Sequence, residues 1–168
     1  MSACCISTNI PRMIQFTIPG FKSLQIQHIV FDFNGTLGLD GMLLPGIEEK
    51  LNRLSQHATM HVVTADTHGS VCQQLSNINC EIVIIGPNNQ DLLKADYLKN
   101  LGSESSIAIG NGRNDKLMLK KAALGIVVMG YEGAAVEAMM AADVAVKDIN
   151  QALELILNPN RLVATLRM

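Results

Sequence analysis

The stretch Asp32-Phe33-Asn34-Gly35-Thr36-Leu37 decides the fold, because it breaks out of an apolar run, Ile29 to Phe33, that reads as a buried parallel strand. A second run, Gly110-Asn111-Gly112-Arg113-Asn114-Asp115, leaves another such strand, Ile107 to Ile109. In an open α/β sheet the carboxyl ends of the strands are where ligands bind. A carboxylate beside a glycine-loosened turn at one strand end, facing a polar turn at another, suits a phosphoryl group and a divalent cation.

Outward from these runs, strands alternate with helical patterns, the signature of βαβ units and a parallel sheet. Ile14 to Ile18 and Leu24 to Gln27 flank Pro19-Gly20 and predict a short leading hairpin. Asp40-Gly41, between apolar flanks from Leu37 to Leu44, predicts a second hairpin directly after the Asp32 strand. Pro45-Gly46 opens a helix with Ile47, Leu51, Leu54 and Ala58 at helical spacing. A strand over Met60 to Val63, a helix over Gly69 to Asn77 and a strand over Glu81 to Ile85 follow. Asn89 is expected to cap a helix bearing Leu92, Leu93, Leu98 and Leu101, with Gly102 as its stop. Beyond Ile107 to Ile109 come a helix through Leu117 to Ala123, a strand over Ile126 to Met129, a helix through Val136 to Ala141 and a strand over Val144 to Val146. The last predicted helix, Ile149 to Leu157, ends before Pro159. It leaves the apolar run Leu162 to Leu166 to pack on this core or on a neighbouring subunit.

A chain of 168 residues with 48% hydrophobic content suffices for one core and is short for two. Residues 13–168 are therefore expected to form a single domain behind a flexible segment over residues 1–12. The formal net charge of -2 leaves no footprint for nucleic acid or an anionic membrane. No apolar run reaches the ~20 residues of a membrane-spanning helix. Cys4, Cys5, Cys72 and Cys80 make no C-x-x-C pair, and no secretory leader is evident, so the chain reads as cytoplasmic with reduced thiols.

Asp32 beside Gly35 and Thr36 can expose its carboxylate at the sheet edge while backbone N–H groups of the turn point at an anion. Such an aspartate can attack phosphorus and form an aspartyl-phosphate, or it can merely cap a turn. Three features favour chemistry. Thr64 ends the next strand with a hydroxyl that can donate to a phosphoryl oxygen, while Asp66 or Thr67 can cap the following helix. Lys94, early in its helix, can neutralise charge building on phosphorane oxygens. Asp115 offers a hard oxygen ligand to magnesium.

Nucleophile, hydroxyl, lysine and acid thus arrive in order, one per βα unit. In this the chain resembles the phosphohydrolases of the haloacid dehalogenase (HAD) superfamily, and more narrowly the small soluble proteins related to the phosphorylation domain of P-type ATPases. The resemblance runs over nearly the whole chain from Phe31. It implies an α/β fold: a doubly wound parallel sheet, HAD-like and Rossmannoid, with a β-hairpin flap after the nucleophile and no cap domain. It also implies that Asp32, Asn34, Thr64 and Lys94 form the catalytic set and that Phe33, Gly35, Thr64, Ala65 and Lys94 bind phosphate. Asp32, Asn34, Asn111 and Asp115 are its implied Mg2+ ligands.

Two departures from the family pattern matter. Phosphatases of the family usually carry a second aspartate two residues after the nucleophile, and Asn34 cannot shuttle a proton. General acid-base help is typically worth ~10²–10⁴-fold, so turnover on poor leaving groups should be slow. The family also generally reads Gly-Asp-Gly where this chain reads Gly110-Asn111-Gly112, so magnesium affinity should fall. The expectation is a slow magnesium-dependent phosphatase, or one tuned to an activated phosphate such as an acyl phosphate or nucleotide. The alternative is a catalytically weakened relative that binds a phosphorylated ligand or a partner protein. A dinucleotide-binding loop is disfavoured, because Asp115 stands where G-x-G-x-x-G requires glycine.

Neither the interval from Thr36 to Val63 nor that from Thr64 to Lys94 can hold a cap, and the resemblance implies that, as in related enzymes without caps, either the substrate is large or another subunit covers the cleft, which leaves room for a homo-oligomer. His57, His61 and His68 are not expected to share a metal, since His61 lies within a strand, although His68 at the mouth of the site could touch substrate. The nine methionines, Met139 and Met140 among them, read as flexible core filling, and Lys120 and Lys121 as a solvated helix end. Arg113 can meet a substrate anion or the solvent.

Overall fold

The computed structural model describes residues 12–168, so Cys4, Cys5 and nearly all of the expected flexible segment lie outside the described residues. The leading hairpin forms as expected, β1 (Ile14–Ile18) pairing antiparallel with β2 (Lys22–Ile26). β3 (His28–Phe31) then enters the centre of a parallel sheet. The flap follows it: β4 (Gly38–Leu39) and β5 (Met42–Leu43) pair across Asp40 and Gly41, whose φ values of 51° and 78° are those of a two-residue turn with both central residues left-handed.

α1 (Glu48–Leu54) leads to β6 (Thr59–Thr64), α2 (Val71–Gln74), β7 (Glu81–Ile84) and α3 (Gln90–Leu101). β8 (Ser106–Gly110), α4 (Lys116–Lys121), β9 (Leu124–Val128), α5 (Val136–Ala141), β10 (Val144–Val146), α6 (Ile149–Leu157) and α7 (Pro159–Leu166) complete the chain. The six-stranded sheet has the order β10-β9-β8-β3-β6-β7 and every pairing in it is parallel. From β3 the chain steps outward through β6 and β7, then returns to β8 on the other side of β3. The strand order therefore reverses between β3 and β8, and in such sheets the crevice at that reversal is the ligand site.

Strands covered on both faces read as unbroken apolar runs. Ile29, Phe31, Ile107, Ile109 and Ile126 turn to one face, with α1, α6 and α7 over them. Val30, Ala108 and Val127 turn to the other, beneath Leu98 of α3, Met118 and Leu119 of α4 and Ala138 of α5. The two-sided core is the doubly wound arrangement expected from the alternation.

Four local expectations need correction. Asn89 takes the left-handed conformation (φ 55°), which Asn tolerates, and makes no side-chain cap; its carbonyl instead accepts from Leu93 N–H at 3.0 Å. α2 is one turn rather than a helix to Asn77, since the Ser76-Asn77-Ile78-Asn79 run is poor in helix formers. Pro159, expected to lie past the last helix, occupies the first turn of α7, where its missing N–H has no partner to lose. The apolar C-terminal run thus forms a helix on this chain's own core, with Leu162 fully buried. Met60 and Met118 fill the core, but Met42 on the flap stands exposed, as do Met139 and Met140 on α5, which buries only Ala138.

Candidate active site

The strand reversal brings together side chains far apart in sequence. Asp32 is anchored where β3 ends, its N–H donating to Ile109 O of β8 at 2.9 Å. Lys94 reaches in from the second turn of α3, and its ammonium lies 2.5 Å from Asp32 Oδ1 and 2.7 Å from Asp115 Oδ1. All three residues are buried. The second Asp115 oxygen accepts from Asn111 N–H at 3.0 Å and Gly112 N–H at 2.8 Å, folding the Gly110 to Asp115 turn back upon itself.

Two carboxylates thus face one ammonium out of water. Burial and the neighbouring Asp115 push the Asp32 carboxyl up to about 7, against the pull of Lys94 and the Phe33 N–H. Burial alone would disfavour the Lys94 ammonium, but attraction from Asp32 and Asp115 outweighs it and holds that pKa above the ordinary lysine range. A cluster one negative charge in excess takes up a proton readily.

Around this trio stand the other residues singled out from the sequence. Thr64, buried at the end of β6, accepts from Asp66 N–H at 3.1 Å and keeps its own proton free to donate. Ala65 and Asp66 begin the following loop, and Asp66 Oδ1 accepts from Ser70 and Val71 N–H groups, the helix-opening role expected of it. The Phe33 N–H beside Asp32 pulls that carboxyl's pKa down, and the Phe33 ring is buried. Gly35 departs from expectation: its N–H donates to Gly38 O at 2.7 Å, so it is spent inside the flap turn rather than aimed at an anion. Glycine is nonetheless required there. Its φ is 82°, and a Cβ would stand 2.3 Å from Asn111 Nδ2 and 2.7 Å from Glu132 Oε2.

Asn34 Oδ1 is buried without a hydrogen-bond partner among the described residues. Asn111 is fully engaged. Its Oδ1 accepts from Thr36 Oγ1 at 3.3 Å and its Nδ2 donates to Gly133 O at 3.1 Å, so the amide staples the nucleophile turn to the loop between β9 and α5. Glu132, at the tip of that loop, was not picked out from the sequence, where the flanking Gly130 and Gly133 are the only signal. The flap is held by Ser70 Oγ on Gly41 O at 2.7 Å and Leu43 N–H on Gln74 Oε1 at 2.8 Å, with the His68 side chain against Gly41.

Other candidates fall outside the trio. His57 is exposed, whereas His61 is a core histidine bonded to His28 at 3.0 Å and the Tyr97 hydroxyl at 2.9 Å, its pKa lowered by burial. No group of three or more His, Cys, Asp or Glu side chains suited to a metal occurs among the described residues. Arg113 pairs with Glu137 at 2.5 Å and borders a cavity of about 570 Å³ shared with Gln90, Asn114 and Lys116. Lys120 and Lys121 are solvated. No helix among the described residues is long and apolar enough to cross a membrane.

Besides the Lys94 ammonium, the groups in and beside the Asp32 turn that could ligate a metal are oxygens: the Asp32 and Asp115 carboxylates and the amide oxygens of Asn34 and Asn111. Such a set suits a hard cation such as magnesium rather than zinc. The unpartnered Asn34 oxygen fits the same conclusion, since a buried acceptor needs a partner.

No protein-family model matches the chain. An uncharacterized protein of Methanocaldococcus jannaschii is 49% identical over 83 residues, 47% of this chain and 89% of that protein. The crystal structure of 3-deoxy-D-manno-octulosonate 8-phosphate phosphatase from Moraxella catarrhalis, in complex with magnesium, phosphate and KDO, matches with a TM-score of 0.66 at 18% identity, over 83% of this chain and 92% of that one. The cobalt-bound deoxy-D-mannose-octulosonate 8-phosphate phosphatase from Haemophilus influenzae matches with a TM-score of 0.64 at 13% identity, over 85% and 94% of the two chains. At these identities the likeness to the solved structures is one of fold.

Proposed function

We propose, for a chain that belongs to one family with the Methanocaldococcus jannaschii protein and carries the haloacid dehalogenase superfamily fold, the function of a magnesium-dependent phosphohydrolase acting through Asp32. The observation that carries this reading is the buried Lys94 ammonium between Asp32 and Asp115 at the strand reversal. A nucleophilic carboxylate and a fixed positive charge where phosphoryl oxygens would gather are what transfer to an aspartate requires.

In the first step a carboxylate oxygen of Asp32 bonds to phosphorus and the bond from phosphorus to the leaving oxygen breaks, its electron pair departing with that oxygen. Lys94 neutralises the phosphoryl oxygens, the Thr64 hydroxyl donates to one of them, and the Phe33 N–H holds the carboxylate in line. Asp32, the Asn34 carbonyl, the remaining lone pair of Asn111 Oδ1 and Asp115 would hold magnesium, which would supply further charge neutralisation when bound. In the second step water bonds to phosphorus, the acyl-phosphate bond to Asp32 breaks, and inorganic phosphate leaves. Asn34 can neither protonate the leaving oxygen nor take the proton of water, so solvent does both. Substrates whose leaving group departs as a stable anion, acyl phosphates above all, are therefore favoured over alkyl phosphates.

Phosphate release from acetyl phosphate and from a panel of phosphomonoesters, with magnesium and with a chelator, tests the reading. Release by the native chain that Asp32→Asn abolishes is expected. Equal rates for the two proteins would overturn it.

A further inference from the structure

We propose that Glu132 supplies to the cation beside Asp32 the carboxylate that Asn111 cannot, an inference that rests on the phosphohydrolase reading above. The loop that carries it is built to close on the nucleophile turn. Gly130 N–H donates to Lys147 O at 3.0 Å and Ala135 N–H to Asn111 O at 2.9 Å, fixing both ends of the loop. Between them Gly130 (φ 38°) and Gly133 (φ 74°) take left-handed conformations that place Tyr131 and Glu132 at the tip. A Cβ on Gly130 would come 3.1 Å from Gly35 O, so the two turns are in direct backbone contact.

Glu132 Oε2 lies 2.7 Å from the point where a Gly35 side chain would begin, and Asn111 Nδ2 lies 2.3 Å from the same point. The carboxylate therefore stands against the residue that follows Asn34, whose Oδ1 is buried without a partner among the described residues. Glu132 forms no ion pair among the described residues, so its charge is not spent elsewhere.

The chemistry of Asn111 and Glu132 is complementary. Asn111 holds the loop by donating from Nδ2 to Gly133 O. An aspartate there would have no proton to give and would face both that carbonyl and the Glu132 carboxylate, driving the loop away. An amide at 111 is thus what allows an acid at 132 to approach. Charge points the same way: Lys94 balances one of the two carboxylates of the trio, so a carboxylate at the rim of the nucleophile turn adds attraction for a divalent cation. No local ligand spacing marks this arrangement, because Glu132 comes from a different βα unit than either partner.

Calorimetric titration of the full chain with Mn2+ tests the proposal in the native protein, Glu132→Gln, Asp32→Asn and the exchange Asn111→Asp with Glu132→Gln. Glu132→Gln is expected to weaken Mn2+ affinity by about 10–100-fold, the range seen when a group supporting a metal site is removed, with the melting temperature of the metal-free protein unchanged. The exchange should recover affinity toward the native value. If Glu132→Gln binds Mn2+ as the native chain does while Asp32→Asn loses it, the role of Glu132 is overturned and the phosphohydrolase reading stands. A native chain that binds no Mn2+ overturns both.

Discussion

Asp32→Asn should make this protein more stable at neutral pH, by an amount that vanishes in acid. In the folded chain burial and the nearby Asp115 push the Asp32 carboxyl up to about 7 from an ordinary 3.8. The folded state therefore holds a proton that the unfolded state releases. Stability from this group is fully present below about 3.8 and is lost as pH rises through about 7. A gap of about three pH units is worth on the order of 4 kcal/mol in all, at about 1.4 kcal/mol per pH unit. Asparagine keeps the shape of the side chain and leaves Lys94 paired with Asp115, but it does not titrate. Between pH 5 and pH 7 the variant should gain about 2 kcal/mol on the native protein, or about 4–8 °C in melting temperature for a chain of this length. Denaturant unfolding of both proteins in chelator-containing buffers across pH 5 to 8 measures the difference directly. Parallel stability curves would refute the reasoning, because they would mean that the Asp32 carboxylate carries no net cost of burial.

Lys94→Met should destabilise the neutral protein by about 3–5 kcal/mol, since two buried carboxylates lose their counter-charge, and the loss should shrink in acid as they take up protons; denaturant midpoints at pH 5 and pH 8 check both parts. Gly35→Ala should cost about 1–3 kcal/mol from its left-handed backbone and abolish phosphate release, because its Cβ would displace the Asn111 amide and Glu132 together. Leu162→Ala should cost about 2–5 kcal/mol in unfolding free energy while leaving the sedimentation coefficient unchanged, as expected of a helix that packs on its own core rather than on another subunit.

Much of the sheet was legible because its signals are local. An unbroken apolar run between turn residues reads as a doubly covered strand wherever it stands, and β3, β8 and β9 were found within a few residues of their observed ends. The flap was legible from Asp40-Gly41 alone, because few dipeptides accept two left-handed residues in succession. α7 is not legible for a corresponding reason. Proline is both a helix breaker and a good first helical residue, and only the buried place waiting for Leu162 decides between those roles.

By itself the sequence determined the alternation of strands and helices and the order in which Asp32, Thr64, Lys94 and Asp115 arrive at the sheet edge, since periodicity and turn chemistry act over a few residues. Only the tertiary structure decided what those side chains do to one another. Lys94 meets Asp32 across 62 residues of chain, Asn111 ties Thr36 to the loop beyond β9, and Glu132 comes to rest on Gly35, through a strand order that no local pattern records. The physical reason is that a carboxylate acquires its proton affinity, and an amide its partners, from the groups packed around it. The reversal between β3 and β8 selects those groups.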